Sequence, residues 1–388
     1  MREIDMPTFL DYAKVYGQKS FTEQVLNSID LAIFNELGYL PLGQGQALVQ
    51  PISLQELKED FLASGQTLTY SFSITKERIA LLETVLAAPR YQGISLASYI
   101  NDVDPEFEKQ FAAMVIELPS INHHQVIFRG TDETFIGWKE DFKMTYLDEI
   151  PAQRQALVYL RKILEASPFT YTVTGHSKGG NLALYAASCL SEGLQAKIDQ
   201  LVLFDAPGLH DRILASPGYQ RISGKVLCLR PKDSIVGSML KNDIPSYFIE
   251  SKAIGTFQHN IASWEVEGKD WKFASGQSEL SRAMEFTFGQ WTQELSQKEL
   301  KTIFDTVFDL FLENDVDTLD ELQADVLRSA RTIMAAFSQL PADKRQLLSK
   351  SAISLLSIFI KSRIQQVNPP SLDHVSDKIK GLFGPMEK

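Results

Sequence analysis

The sequence predicts an α/β protein: a mostly parallel sheet flanked by helices, followed by an α-helical C-terminal segment. Three observations carry that expectation. Short apolar runs at 171–174, 201–204 and 225–229 recur about 25 to 30 residues apart with helical stretches between them, the spacing of βαβ units. The first of these runs enters a helix through the tight string Gly175-His176-Ser177-Lys178-Gly179-Gly180. After about Glu285 the strand-like runs stop, and apolar residues three to four apart mark helices over 290–313, 319–340 and 343–367, broken at Pro341 and Pro369-Pro370. The chain is accordingly divided into residues 1–285, the α/β part with a helical N-terminal region, and 286–388, the helical segment.

The elements follow in order. The first hundred residues read as helical: Ser20 with Glu23, and Ser53 with Glu56, have the spacing at which side chain and backbone cap each other's free N–H groups. Gly65 and Pro89 end later helical runs, and 68–72 is a weak strand candidate. Apolar runs at 112–118 and 125–128, separated by Pro119-Ser-Ile-Asn122, form a hairpin. Pro151 opens a helix that closes before Pro168, and 182–190 is helical.

Composition sets outer limits. With 44% hydrophobic and 22% charged residues the chain has a globular, not a disordered, make-up. Lys and Arg number 38 against 49 Asp and Glu, so no basic excess exists to neutralise phosphates, and nucleic acid is not expected as a partner. Cys189 and Cys228 sit in apolar runs and read as small buried hydrophobes, not as a disulfide framework. The start, with Arg2, Glu3 and Asp5, is unlike a signal peptide. The apolar run 351–360 is too short for a bilayer, which needs about 20 residues, so a cytoplasmic location is expected.

Gly175-x-Ser177-x-Gly179 between a strand and a small-residue helix has the pattern of a nucleophile elbow. Glycines relieve the crowding of a sharp strand-to-helix turn. The serine stands proud of the sheet, and the helix N-terminus favours developing negative charge. The bland alternative is a glycine-rich turn. A phosphate loop does not fit, since the order here is Ser177-Lys178, not Lys-Ser. The Lys178 backbone N–H is placed to donate to an oxyanion, while its side chain is expected to face solvent.

A serine nucleophile needs a base, and in this fold class the order is Ser, acid, His. His210, His259 and His374 follow Ser177; His259, after the last predicted strand, is the candidate base. Asp233, just past the run 225–229, is the candidate acid, with Asp205 as its rival at the end of 201–204. Upstream, Arg129-Gly130-Thr131-Asp132 ends a strand where a second oxyanion donor belongs, and Thr131 is the candidate. A structural turn at 129–131 stays open as the alternative. Trp138 and Asp141 follow at a spacing consistent with one face. No cofactor and no metal is called for.

Together these residues resemble the lipase class 3 group of the α/β-hydrolase fold. Phe128-Arg129-Gly130-Thr131, Trp138 and Asp141, the elbow, Asp233-x-Ile-Val236 and a late His259 fall in that group's order. The Lys178 form of the elbow is more similar to the Mbeg1-like family of unknown function, common in Gram-positive bacteria. So is the run 21–42, with Asp30 and Leu37-Gly-Tyr39. The resemblance spans about residues 1–285. It implies Ser177, Asp233 and His259 as a triad, with Thr131 and the Lys178 backbone as the oxyanion hole. The expected function is a serine hydrolase acting on a small-molecule or lipid ester. An acyltransferase on the same triad, or a non-catalytic binding module on a hydrolase scaffold, are the alternatives.

The early tail is acidic, from Asp305 and Asp309 to Asp325, and its end is basic, with Arg345, Lys350, Lys361, Arg363, Lys378 and Lys380. Leu348, Ala352, Leu355, Leu356 and Phe359 form one helical stripe. Two expectations follow: packing on the rest of the protein, or peripheral contact of these C-terminal helices with an anionic membrane surface.

Overall fold

The computed structural model describes residues 8–43, 48, 50–68, 75–104, 109–131, 135–314 and 326–367. One sheet runs in chain order through β1 (Ile52–Ser53), β2 (Ser95–Asp104), β3 (Lys109–Leu118), β4 (His123–Phe128), β5 (Tyr171–His176), β6 (Ile198–Phe204), β7 (Val226–Pro231) and β8 (Ser246–Ile249). Neighbours from β1 to β4 are antiparallel, and those from β4 to β8 are parallel. The parallel half needs crossovers, and helices supply most of them. The fold is therefore α/β, with the mostly parallel sheet flanked by helices.

Before the sheet's long strands come α1 (Phe9–Tyr16), α2 (Ser28–Leu37), α3 (Leu54–Ala63) and α4 (Lys76–Ala87). Within the sheet region lie α5 (Phe135–Lys143), α6 (Pro151–Ala166), α7 (Lys178–Cys189), α8 (Glu192–Gln195), α9 (Asp211–Leu214) and α10 (Pro217–Ile222). After it come α11 (Glu279–Glu294), α12 (Gln297–Leu312), α13 (Val326–Gln339) and α14 (Ala342–Val367).

The sheet is buried on both faces, as a parallel core with helices on each side must be. Successive residues of β6 show it: Leu201 and Leu203 pack with α6, α7 and α10, while Val202 and Phe204 pack with α1, α2 and α4. A third apolar cluster joins Trp138 and Phe142 of α5 to Trp291, Phe304 and Phe308 of α11 and α12, and to Ile358 of α14. There Phe142 stacks on Phe304 at 4.7 Å, and Lys139 pairs with Asp309 at 2.9 Å.

Several expectations need correction. Ser20 and Glu23 do cap one another, yet the turn does not grow into a helix. The Arg90 guanidinium takes the carbonyls of Lys19, Ser20, Gln24 and Val25, so these acceptors are committed to it. Strand β2 lies inside the region expected to be helical. Its register shifts between Ala97 and Ile100, with Ser98 at φ +50°, which breaks the alternation by which strands are recognised. The short edge strand β8 is a further addition. The stretch 290–313 is two helices, because Ser296 and Glu299 form a fresh capping box. The candidate strand 68–72 lies, save for Leu68, outside the described residues.

On α14 the side buried by its neighbours carries Ser351, Ile358 and Ser362, with Leu347, Leu348 and Leu355 packed against the third cluster. Of the expected stripe, Leu348 and Leu355 serve this packing, whereas Ala352 and Leu356 are exposed. Lys378 and Lys380 lie outside the described residues. Among the described residues no helix is long and apolar enough to cross a membrane.

Candidate active site

Strand β5 ends at His176, α7 begins at Lys178, and Ser177 between them holds φ +59° and ψ −133°. A serine is strained there by about 1–3 kcal/mol, and only a tightly packed surround keeps it so. The packing is visible at two glycines. A Cβ on Gly175 would lie 2.2 Å from the Gly179 carbonyl, and one on Gly179 would lie 2.0 Å from the Phe128 carbonyl oxygen. Larger residues at either place would force strand and helix apart.

The parallel register decides which acid meets the histidine. His176 of β5 pairs with Phe204 of β6, and Phe204 with Leu229 of β7. Ser177 and Asp205, each one residue further on, thus emerge level at the carboxyl ends of adjacent strands. Asp205 is fully buried, and its Oδ2 accepts the His259 Nδ1–H at 2.7 Å. Its Oδ1 accepts the Ser234 hydroxyl and the Gly237 N–H. Asp205 also takes a positive φ of +43°.

Asp233, the sequence's candidate acid, is not on the histidine. Four residues past Leu229, it lies beyond the level of Ser177 and pairs instead with Gln258: the Gln258 Nε2–H donates to Asp233 Oδ2 at 2.6 Å, and the Asp233 N–H donates to Gln258 Oε1 at 3.1 Å. Gln258 precedes His259, so Asp233 anchors the loop that carries His259. The rival assignment, Asp205, is the one the geometry supports.

His259 also packs on the residue before the serine, with the His176 and His259 ring centroids 4.5 Å apart. His176 Nε2 donates to the His259 carbonyl at 2.8 Å. Burial, then the neighbouring His259 and Arg78, hold the His176 imidazole well below the usual histidine range, so it is neutral at pH 7. With its proton on Nε2, Nδ1 accepts from the Tyr39 hydroxyl at 2.9 Å, and the Tyr39 oxygen in turn accepts the Gly130 N–H at 3.1 Å. One buried chain of hydrogen bonds therefore runs from the strand-end glycine through Tyr39 and His176 to the backbone of His259. Among the described residues no direct hydrogen bond joins the Ser177 hydroxyl to the His259 ring; catalytic hydrogen bonds are often long in sites without substrate.

Tyr39 is contributed by the N-terminal region, and its ring carries the Arg78 guanidinium at 3.7 Å. Tyr39→Phe keeps that ring but strands the Gly130 N–H and His176 Nδ1. It is expected to cost about 1–3 kcal/mol of stability, read as a lowered urea midpoint with an unchanged m-value.

Gly130 touches the elbow: a Cβ there would lie 2.6 Å from the His176 carbonyl oxygen and 3.1 Å from Ser177 Cβ. Thr131, next along, donates its hydroxyl to Asp141 Oδ2. Asp132 lies outside the described residues. Arg129 makes a hydrogen bond to Asn101 at 2.8 Å. Lys178 corrects the sequence expectation most sharply: its side chain is 1% exposed, and its ammonium lies 3.0 Å from Glu140 Oε2 and 3.4 Å from Asp141 Oδ1. Sequence reasoning also missed Tyr39 and Glu140. Adjacent carboxylates Glu140-Asp141, on a helix otherwise marked by Trp138 and Phe142, were the available signal that a cation would be buried with them.

Among the described residues no group of three or more His, Cys, Asp or Glu is placed to hold a metal ion. A family model described as Mbeg1-like matches residues 85–309. No curated protein matches the chain. Similar solved structures include one titled M37 lipase, at 14% identity and a TM-score of 0.35, covering 83% of this chain and 98% of that one. Lip2 lipase from Yarrowia lipolytica matches at 13% identity and 0.33, covering 66% and 91%. The Rhizomucor miehei lipase propeptide complex matches at 14% and 0.32, covering 61% and 77%.

Proposed function

The chain belongs to the Mbeg1-like family, and we propose that it is a serine hydrolase that cleaves an ester through an acyl-enzyme on Ser177. The observation that carries this reading is the juxtaposition of a strained serine at a strand-to-helix elbow with a histidine whose Nδ1 is bound by a buried carboxylate. With Nδ1–H donated to Asp205, the lone pair for accepting a proton is on His259 Nε2. The serine hydroxyl loses its proton to Nε2 as its oxygen bonds the ester carbonyl carbon. Asp205 stabilises the imidazolium, and the backbone N–H groups of Thr131 and Lys178 receive the oxyanion. Nε2–H then protonates the leaving alcohol, and water, deprotonated by the same imidazole, releases the acid.

In this reading the acid is Asp205 and not Asp233. The substrate class, a small-molecule or lipid ester, rests on the type of site alone, as does membrane contact through α14. A cytoplasmic place of action is likewise part of the proposal. The test is a fluorophosphonate probe followed by peptide mass mapping. A single adduct on the peptide bearing Ser177 is expected. Absence of any adduct in the folded protein, or an adduct confined to another serine, would sink the reading.

A further inference from the structure

The side chain of Lys178 has no part in the triad, yet it is the cation of a buried cluster that reaches from the elbow to the loop after β4. Its ammonium faces Glu140 Oε2 at 3.0 Å, Asp141 Oδ1 at 3.4 Å and Gln110 Oε1 at 3.4 Å. Glu140 also accepts the Gln110 N–H on the same Oε2 at 2.9 Å and the Ala152 N–H on Oε1 at 3.2 Å. Asp141 accepts the Thr131 hydroxyl on Oδ2. Gly137 lets α5 close on this cluster, since a Cβ there would meet Gln110 Oε1 at 2.5 Å and Thr131 Cγ2 at 2.7 Å.

Two residues assigned to the oxyanion hole, Thr131 after β4 and Lys178 at the start of α7, come from separate elements and give backbone N–H groups. Their side chains converge on the two oxygens of one carboxylate. We propose that Lys178 is a positioning residue: its ammonium and the Thr131 hydroxyl close on Asp141 from opposite sides, and this clamp fixes the two oxyanion donors relative to each other. The proposal rests on the hydrolase reading. An apolar residue after the serine would give the same N–H without tying it to the Thr131 loop. Donor spacing matters because an oxyanion hole works only when its N–H groups are fixed before charge develops.

The clamp has a titration signature. Among the described residues, the groups facing Asp141 are Lys178 from α7, Glu140 from its own helix and the Thr131 hydroxyl. Burial pushes the Asp141 carboxyl up to about 6, while Lys178 holds it down and Glu140 adds to the rise. The ionised form accepts the Thr131 hydroxyl and pairs with the Lys178 ammonium at 3.4 Å, so the clamp is complete above about pH 6 and loosens as pH falls through that value.

Removing Lys178 alone leaves two buried carboxylates without their cation, which invites misfolding. The informative variant is therefore Lys178→Met combined with Glu140→Gln, which removes one charge of each sign. Its fold is checked by circular dichroism, and labelling by the fluorophosphonate is followed from pH 5 to 9. The expected result is labelling slowed by roughly 10²-fold at pH 7, the effect of losing one oxyanion donor. The pH midpoint should also move upward, because the loss of the Lys178 attraction exceeds the loss of the Glu140 repulsion. Unchanged labelling, or slowed labelling with an unmoved midpoint, overturns the clamp while leaving the hydrolase reading intact. A wild-type protein that takes no label at Ser177 overturns that reading instead.

Discussion

Ser177→Ala is expected to abolish fluorophosphonate labelling and to lower turnover of p-nitrophenyl butyrate by about 10⁶-fold, with the fold retained. The size of the effect follows from the division of labour at the elbow. Without the hydroxyl no acyl-enzyme forms, and His259 and Asp205 have no proton to move. Only the polarising N–H groups and binding remain, which hold a residual rate of about 10³ to 10⁴ over water. Stability supplies a second arm. Ser177 pays for φ +59° with strain, and glycine adopts that backbone freely. Ser177→Gly is expected to be equally inactive and more stable than Ser177→Ala, read by thermal unfolding. Full turnover in the alanine variant would remove the basis for calling this serine the nucleophile.

What could be read in the sequence was whatever local chemistry decides. The elbow needed glycine at 175 and 179 because two backbones meet there, and those glycines are plain in the string. Pro151 opening α6, Ser53 capping α3 and the turn at 119–122 were legible for the same reason. Features that depend on distant partners were not. The turn at Ser20 fails to become a helix because Arg90, seventy residues on, takes its carbonyls. Strand β2 was hidden by a bulge, and Tyr39 gives no local sign that its hydroxyl reaches His176. Lys178 looks like a surface residue until Glu140 and Asp141 are folded against it. Distance along the chain favours Asp233, whereas register across the sheet brings Asp205 to His259.

That last point gives the second large effect. Asp205→Asn is expected to lower ester turnover by about 10⁴-fold, while Asp233→Asn is expected to stay within about tenfold of the wild type. At Asp205 the change strikes the proton-transfer machinery directly. The carboxylate accepts the His259 Nδ1–H, so the tautomer with a free lone pair on Nε2 is favoured and the imidazolium is stabilised. An amide in its place offers an N–H to Nδ1, which favours the wrong tautomer, and brings no charge to offset the imidazolium. The geometry would persist, because the Ser234 hydroxyl and Gly237 N–H still find an oxygen. At Asp233 the partner is the Gln258 amide, and an asparagine retains a carbonyl for the Gln258 N–H while its own backbone N–H to Gln258 Oε1 is untouched. The loop bearing His259 is then held almost as before. Measuring kcat/KM for both variants on one ester, with circular dichroism as the fold control, separates the two acids. A large loss at Asp233 beside a small one at Asp205 would show that the pairing of His259 with Asp205 is not the working one.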